Sequence, residues 1–204
     1  MALAFAGNGT ITGLSVGGLP DGTVDEDTLA NNAVGAGKLA SGVGGKVLQV
    51  LQNVKTDTQS ISGNTFTTVL TQAITPAATS SKVLITVSIN VAGSVRYAAV
   101  QLYRDSTQIY MGDAAGSRAS VSVGSMMNES AGSASSVLFN SNFTFLDSPS
   151  STSSVTYYVK AANTYTGGSY GTGATTYINQ MAADSDADYT ARGASSLTVQ
   201  EIGA

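Results

Sequence analysis

The hydrophobic and polar positions of the chain follow two different patterns, and the change falls near residue 45. From Lys46 onward, apolar and polar residues alternate over short runs, which is the pattern of half-buried β-strands. The clearest run is 82–92, where every second residue from Val83 to Val91 is Val or Ile. Further strands are predicted at 46–55, 65–74, 96–104, 108–111, 120–127, 137–146, 155–161, 174–179 and 196–202.

Turn residues separate these runs, as in the segments Arg104-Asp105-Ser106-Thr107 and Asp147-Ser148-Pro149-Ser150. About eight to ten short strands with turns between them predict an all-β fold, an antiparallel β-sandwich of the jelly-roll type. The run 46–55 has apolar residues on both of its faces. We therefore expect that strand to be buried on both sides at its start.

Residues 1–45 follow a period of five, which fits neither a helix nor a strand. Short extended pieces joined by tight turns of Gly, Asn and Asp fit this period. One ribbon of this kind cannot bury its own apolar residues, so we expect three identical chains to enclose them as the core of a stem. The alternative is a disordered N-terminal arm. A helical turn is also predicted at 25–33. The predicted stem core comprises Leu14, Leu19, Val24, Leu29, Val34 and Leu39.

The composition excludes several kinds of chemistry. The chain has no Cys and no His, so disulfides, Cys/His zinc sites and Ser–His–Asp or Cys–His catalysis are ruled out. Its nine Lys and Arg residues are scattered and its net charge is −4, which argues against a nucleic-acid interface. No apolar run approaches the roughly 18–20 residues of a membrane span. We expect no cofactor and no membrane insertion.

Charged residues make up only 11% of the chain. A surface rich in Ser, Thr, Gly and Ala suits close packing of one chain on another. The alternative is a monomer whose surface is simply polar and neutral.

One cluster of carboxylates is a candidate for a metal site. Asp184, Asp186 and Asp188 begin like a calcium-binding loop, but Tyr189 stands where such a loop needs Gly and Ser195 where it needs Glu. This favours a solvated acidic loop, the alternative being a calcium site completed by another chain.

A second candidate is a group of tyrosines in or beside the Gly-rich segment 164–174. Tyr165, Tyr170 and Tyr177 could contact a sugar or a protein, because Tyr brings contact area at little entropic cost. The alternative is that their rings cover one end of the sandwich.

Other carboxylates have structural interpretations. Glu201 shares a face with Leu197 and Val199, so it needs a partner if it is buried, and Arg192 is the predicted one, within the chain or across a trimer. The alternative is a bulge that turns Glu201 outward. Asp105, Asp113, Glu129 and Asp147 fall at predicted turns, where Asp serves the backbone. Because the chain also has no Cys or His and few aromatic residues in 204 positions, we do not expect an enzyme.

Several stretches resemble one group of viral proteins. Gly9–Ala30 (GTITGLSVGGLPDGTVDEDTLA) and Asn31–Ala40 (NNAVGAGKLA) resemble the shaft segments of tail-fibre-like proteins of marine tailed bacteriophages. Four later stretches resemble the globular part of the same group of proteins. They are 46–50 (KVLQV), 75–85 (TPAATSSKVLI), 146–150 (LDSPS) and 191–201 (ARGASSLTVQE).

The resemblance implies a homotrimeric virion protein that is assembled in the host cytoplasm. Residues 1–45 would form an anchor and stem that binds other virion proteins through the N-terminus. Residues 46–204, here called the head, would form a jelly roll resembling tumour necrosis factor or C1q, with a flat face as the subunit contact.

The resemblance leaves the place on the particle open. Long fibres usually carry a large virion-binding domain before the stem, and only about a dozen residues precede it here. A short fibre or spike that attaches to the host fits this better, and the first alternative is a capsid decoration protein that stabilises the head of the phage. A carbohydrate-active enzyme and a secreted C1q-like binding module are the remaining alternatives.

Overall fold

The structure is a computed structural model that describes residues 46–94, 97–126, 137–164 and 174–203. It also gives the backbone of two short strands, β1 (Ala4–Phe5) and β2 (Ile11–Thr12), which pair antiparallel with Phe5 opposite Ile11. The chain divides after Gly45 into two units, 1–45 and 46–204. The predicted stem core and the predicted helical turn at 25–33 lie outside the described residues.

The described part of the head consists of strands, turns and loops, and it contains no helix. Accordingly, no described segment is a helix that could cross a membrane. The predicted strands are present, with ends that shift by up to three residues, and β4 is an additional strand. The strands of the head are β3 (Val47–Lys55), β4 (Gln59–Ser62), β5 (Thr67–Ile74), β6 (Lys82–Gly93), β7 (Tyr97–Arg104), β8 (Thr107–Ile109), β9 (Val123–Met126), β10 (Phe139–Asp147), β11 (Val155–Ala162), β12 (Thr175–Ile178) and β13 (Ser195–Ile202).

The strands form two antiparallel sheets. In the first sheet, β10 lies along one edge of β6, while β13 and then β12 lie along the other edge. Beyond them lie β3, paired with β13, and β4, paired with β12. In the second sheet the order is β5–β11–β7, and β9 and β8 share the far edge of β7. The head therefore begins and ends on neighbouring strands, β3 and β13.

The core lies between the two sheets. Val83, Ile85 and the three alternate residues that follow them on β6 are fully buried, as the alternation predicts. The second sheet contributes the inward-facing residues of β11, including Tyr157 and Val159, which are also fully buried. The predicted all-β fold with antiparallel sheets is confirmed for the described residues of the head.

Asn179 follows directly after β12, at the point where β12 and β13 lie one after the other along the same edge of β6. Its hydrogen bonds connect these two strands to the segment around the end of β3. Its backbone has a φ of 60°, in the left-handed region. Its N–H donates to the carbonyl of Asn90, and its Nδ2 donates to the carbonyls of Lys55 (2.8 Å) and Asp57 (3.0 Å). Its Oδ1 accepts a hydrogen bond from Ser195 Oγ at 2.6 Å. Asn179 is fully buried and its side-chain amide is bonded on both sides.

The prediction that β3 is buried on both sides at its start is wrong for this chain. Val47 and Leu48 are about half exposed. The reason is that β3 is an edge strand with only β13 beside it, and its outer face carries no further layer among the described residues.

Candidate interaction surface

The outward side of the first sheet carries regular rows of side chains. Because neighbouring strands are in register, residues on β10, β6, β13 and β3 stand side by side across the sheet. We call this surface the outer face. Its three complete rows, each given in the order β10, β6, β13, β3, are Asn142, Ser88, Ser196, Val54; Thr144, Thr86, Thr198, Gln52; and Leu146, Leu84, Gln200, Val50.

The three rows contain no charged residue. Outward positions of a solvent-facing sheet usually carry Lys, Glu and other charged residues, which keep sheet faces and edges from associating. Lys82 lies on β6 beyond the last row, where its Nζ donates to Ser148 Oγ at 2.8 Å. The three rows therefore combine polar and apolar side chains without charge, and Lys82 places one positive charge beside the last row.

Apolar side chains gather at the two margins of the outer face. On β3 the exposed fractions are 52% for Leu48, 56% for Val50 and 53% for Val54, and on β10 the exposed fraction is 52% for Leu146. Val47, also on β3, is half exposed as well. Together these residues are five of the eight large hydrophobic side chains that are exposed in the described part of the chain. A grouping of this kind marks a protein–protein contact more often than a free surface.

Hydrogen bonds between side chains hold the outer face in one arrangement. Gln52 Nε2 donates to Thr198 Oγ1 at 2.8 Å. At the other margin, Asn140 Nδ2 donates to Ser88 Oγ and to Asn90 Oδ1, both at 3.2 Å. Side chains that are already ordered lose less entropy when a partner binds.

A buried polar cluster connects the two sheets at one end of the core. Arg104 Nη1 donates to both carboxylate oxygens of Asp147 at 3.0 Å, and Tyr157 Oη donates to Asp147 Oδ2 at 2.7 Å. Burial, together with the hydrogen bond to the Asp147 carboxylate, raises the pKa of Tyr157 far above its usual value.

The turn interpretation of Asp147 is wrong, because this residue is the last of β10 and its carboxylate is buried. Asp105 does serve a turn, with a φ of 51° and its Oδ1 accepting from the Thr156 N–H. Glu129 lies outside the described residues. Sequence analysis missed the Arg104–Asp147–Tyr157 cluster, although the alternation places all three side chains on inner faces.

Glu201 faces the core beside Val83, but its predicted partner was wrong. Gln49 Nε2 donates to Glu201 Oε2 at 2.6 Å, and the Ala77 N–H donates to Oε1 at 2.7 Å. Burial alone would raise the pKa of this carboxyl, but the hydrogen bonds from Gln49 and from the Ala77 backbone hold the pKa below its usual value. The pairing of β13 with β3 is irregular after Glu201, yet the side chain stays inside and is only 1% exposed.

Arg192 instead belongs to the acidic loop. It is bonded to Asp184 through Nη2 to Oδ2 at 2.5 Å and through Nε to Oδ1 at 3.2 Å. Within the described ranges, no three acidic side chains come close enough together to share a metal ion. The solvated acidic loop at Asp184, Asp186 and Asp188 stays a prediction, as does its alternative, a calcium site completed by another chain.

Of the three tyrosines proposed for a receptor contact, one lies among the described residues. Tyr177 lies within β12, between Ser60 of β4 and Ala92 of β6. Tyr165 and Tyr170 lie outside the described residues.

The second sheet carries an aromatic group that sequence analysis missed. Lys160 Nζ lies 4.0 Å from the ring centre of Tyr103 and 5.8 Å from that of Tyr158. Tyr103 and Tyr158 are direct neighbours across β7 and β11, so their pairing follows from the strand register. This cation–π contact stabilises the outward side of that sheet.

No model of a known protein family matches the sequence, and no curated protein is similar to it in sequence. Among solved structures, the chain is similar to the infectious bursal disease virus VP2 subviral particle, with a TM-score of 0.33 and 11% identity over 76% of this chain. It is also similar to the structure of the infectious bursal disease virus Gx strain, with a TM-score of 0.32 and 11% identity over 77% of this chain. The chain spans less than two fifths of either protein, 38% and 37% respectively.

Proposed function

We propose that this chain is a non-enzymatic structural protein of a virion surface, a homotrimeric short fibre or spike of a tailed phage that takes part in attachment to the host. The outer face is the observation that carries the proposal. An uncharged sheet face with half-exposed Leu and Val at its margins is suited to contact protein, since its apolar side chains gain by leaving water. The resemblance of the leading segment to fibre shafts supports the same assignment.

The first experiment measures the mass of the full-length protein in solution. We expect sedimentation equilibrium at micromolar concentration to give three times the chain mass of 20.5 kDa. A mass equal to one chain at every concentration would remove the basis of the proposal.

The second experiment concerns the place on the particle. If the protein is a short fibre, the purified trimer should bind host cells and reduce adsorption of the intact phage. The alternative, a capsid decoration protein that stabilises the phage head, has the same outer face in its favour. Images of the virion would then show the protein at many equivalent capsid positions, and purified trimer would not reduce adsorption.

The proposal assigns no reaction to the chain. The buried carboxylates of Asp147 and Glu201 are bonded by donors of the protein itself, and these bonds stabilise the fold. Incubation of the full-length trimer with host polysaccharide should therefore release no new reducing ends. Their release would support the alternative of a carbohydrate-active enzyme.

A further inference from the structure

We propose that the outer face binds a second copy of this chain, with the copies related by a rotation axis parallel to the strands. In this arrangement the β3 margin of one copy meets the β10 margin of the next. The inference rests on the proposed trimer and adds to it the surface, the direction of the axis and the residues that meet.

The absence of charge on the three rows favours a copy of the same chain as the partner. When a face packs on another copy of itself around a symmetry axis, like charges come close together and repel. Hydroxyl and amide groups avoid this problem, because each can both donate and accept hydrogen bonds. Thr86, Thr144, Thr198 and Gln52 supply such groups at the centre of the face.

The positions of the apolar side chains set the direction of the axis. Leu146 on β10 and Val50 on β3 lie in the same row, at opposite margins of the sheet. Rotation about an axis parallel to the strands keeps every row at its own height. It therefore brings Val50 of one copy to the height of Leu146 in the next, and two apolar margins that are exposed in the single chain cover each other.

The connection to residues 1–45 points to the same axis. Each head continues from Gly45 into the start of β3. An axis parallel to the strands places the start of β3 at the same end of the assembly in all copies, as a shared stem requires. A twofold axis perpendicular to the strands would place these starts at opposite ends.

The outer face can supply a substantial part of a subunit contact. Four strands spaced about 4.8 Å apart, each paired over about seven residues of roughly 3.3 Å, give a projected area on the order of 450 Å². In a threefold assembly each copy shares this area between two neighbours, so exposed residues beyond the three rows, such as Val47 and Leu48, must contribute to reach the roughly 800 Å² per partner of a stable interface.

The first test places a negative charge at the centre of the outer face. Thr86→Glu should weaken association of the full-length protein at least about 100-fold, measured by sedimentation at several concentrations. The matched control is Thr71→Glu, an equally exposed position on the second sheet, which should leave the trimer intact. Circular dichroism should show that both variants keep the β-sheet signal.

The second test uses the lack of native cysteine. The variant with both Val50→Cys and Leu146→Cys should form covalent trimers with a short bis-maleimide, whereas either single substitution should form none. A twofold axis perpendicular to the strands could link the single Val50→Cys variant to itself, which would overturn the inference.

The outcomes separate the inference from the proposed function. If the wild type is trimeric, Thr86→Glu leaves it trimeric and the double-cysteine variant does not cross-link, the outer face is not the contact although the trimer stands. If the wild type is monomeric, the proposed function fails first and the inference fails with it.

Discussion

At the scale of single residues, Asn179 connects three separate segments of the head through the hydrogen bonds of one short side chain. Its amide reaches the carbonyls of Lys55 and Asp57, and its carbonyl oxygen accepts from Ser195. It thereby joins the segment after β3, the end of β12 and the start of β13. Asn tolerates its positive φ better than most residues, so geometry and hydrogen bonding select the same residue type.

Substitutions of Asn179 should separate these two contributions. Asn179→Gly keeps the backbone conformation and loses the side-chain bonds, so we expect a loss of about 2–3 kcal/mol in the free energy of unfolding. Asn179→Ala also strains the backbone and should cost about 1 kcal/mol more. Urea unfolding measures both, with the exposed Asn64→Ala as a control close to wild type. Equal losses for Gly and Ala would show that the backbone conformation contributes nothing.

Glu201 makes the stability of the head depend on pH. Its pKa is lowered in the folded protein from a value of 4.5, so the charged form binds its donors better than the protonated form does. The stabilisation is complete above about pH 4.5 and is lost as the pH falls through the lower folded-state pKa. Glu201→Gln replaces the titrating carboxyl with an amide that does not change its charge with pH. The stability difference between wild type and Glu201→Gln should therefore shrink between pH 6 and pH 3 in urea unfolding, and a constant difference would contradict the assignment.

At the scale of strands, the Arg104–Asp147–Tyr157 cluster links β10 of the first sheet to β7 and β11 of the second. Asp147 accepts from a half-buried Arg104 and a buried Tyr157, so loss of its charge leaves the Arg104 guanidinium without its ion-pair partner and with the Ser148 carbonyl, 3.3 Å from Nη1, as a remaining acceptor. Asp147→Asn should lower the free energy of unfolding by about 2–4 kcal/mol. Tyr157→Phe should cost about 1–2 kcal/mol, because it leaves the ion pair in place.

The double variant tests whether these residues act together. Asp147→Asn combined with Tyr157→Phe should cost less than the two single losses added, since they share one hydrogen bond. The exposed Asp186→Asn serves as a control and should stay within about 0.5 kcal/mol of wild type. Additive losses in the double variant would mean that the bond contributes no stability.

The strands were predictable wherever one side of the sheet is buried, as the alternation on β6 shows. β4 was missed because Gln59-Ser60-Ile61-Ser62 holds one apolar residue, and one buried contact does not make a period. The partner of Glu201 could not be predicted from charge. Its donors are the neutral amide of Gln49, which the pairing of β3 with β13 places beside it, and the backbone N–H of Ala77, which lies in the segment after β5.

The sequence predicts that outward strand positions are polar, but it does not predict which of these positions are neighbours on the outer face. The sequence indicates strands with polar outward positions, but only the register shows that Thr144, Thr86 and Thr198 form one row. The same holds for Leu146 and Val50, which are almost a hundred residues apart in the chain. Cross-strand neighbours depend on strand order, and local pattern carries no information about strand order.

At the scale of the whole molecule, the two sheets differ in what they present to solvent. The first sheet presents uncharged rows with apolar margins, while the second presents Lys160 above the rings of Tyr103 and Tyr158. In the proposed assembly the first sheet faces the other copies and the second stays in water. In that proposed assembly the buried face of the first sheet needs no charged residues, which agrees with the 11% share of charged residues in the chain.

The position of the first and last strands of the head has a consequence for engineering. The Gly203 N–H donates to the Lys46 carbonyl at 2.6 Å, so the two ends of the head lie side by side. A short linker from Gly203 to Lys46, with new termini between the exposed residues Gly116 and Ser117, gives a circular permutant that keeps every strand pair. Its melting temperature should lie within a few degrees of that of the unpermuted head, measured by calorimetry. Such a permutant would carry the outer face without residues 1–45, and would thus report how much of the self-association belongs to the head alone.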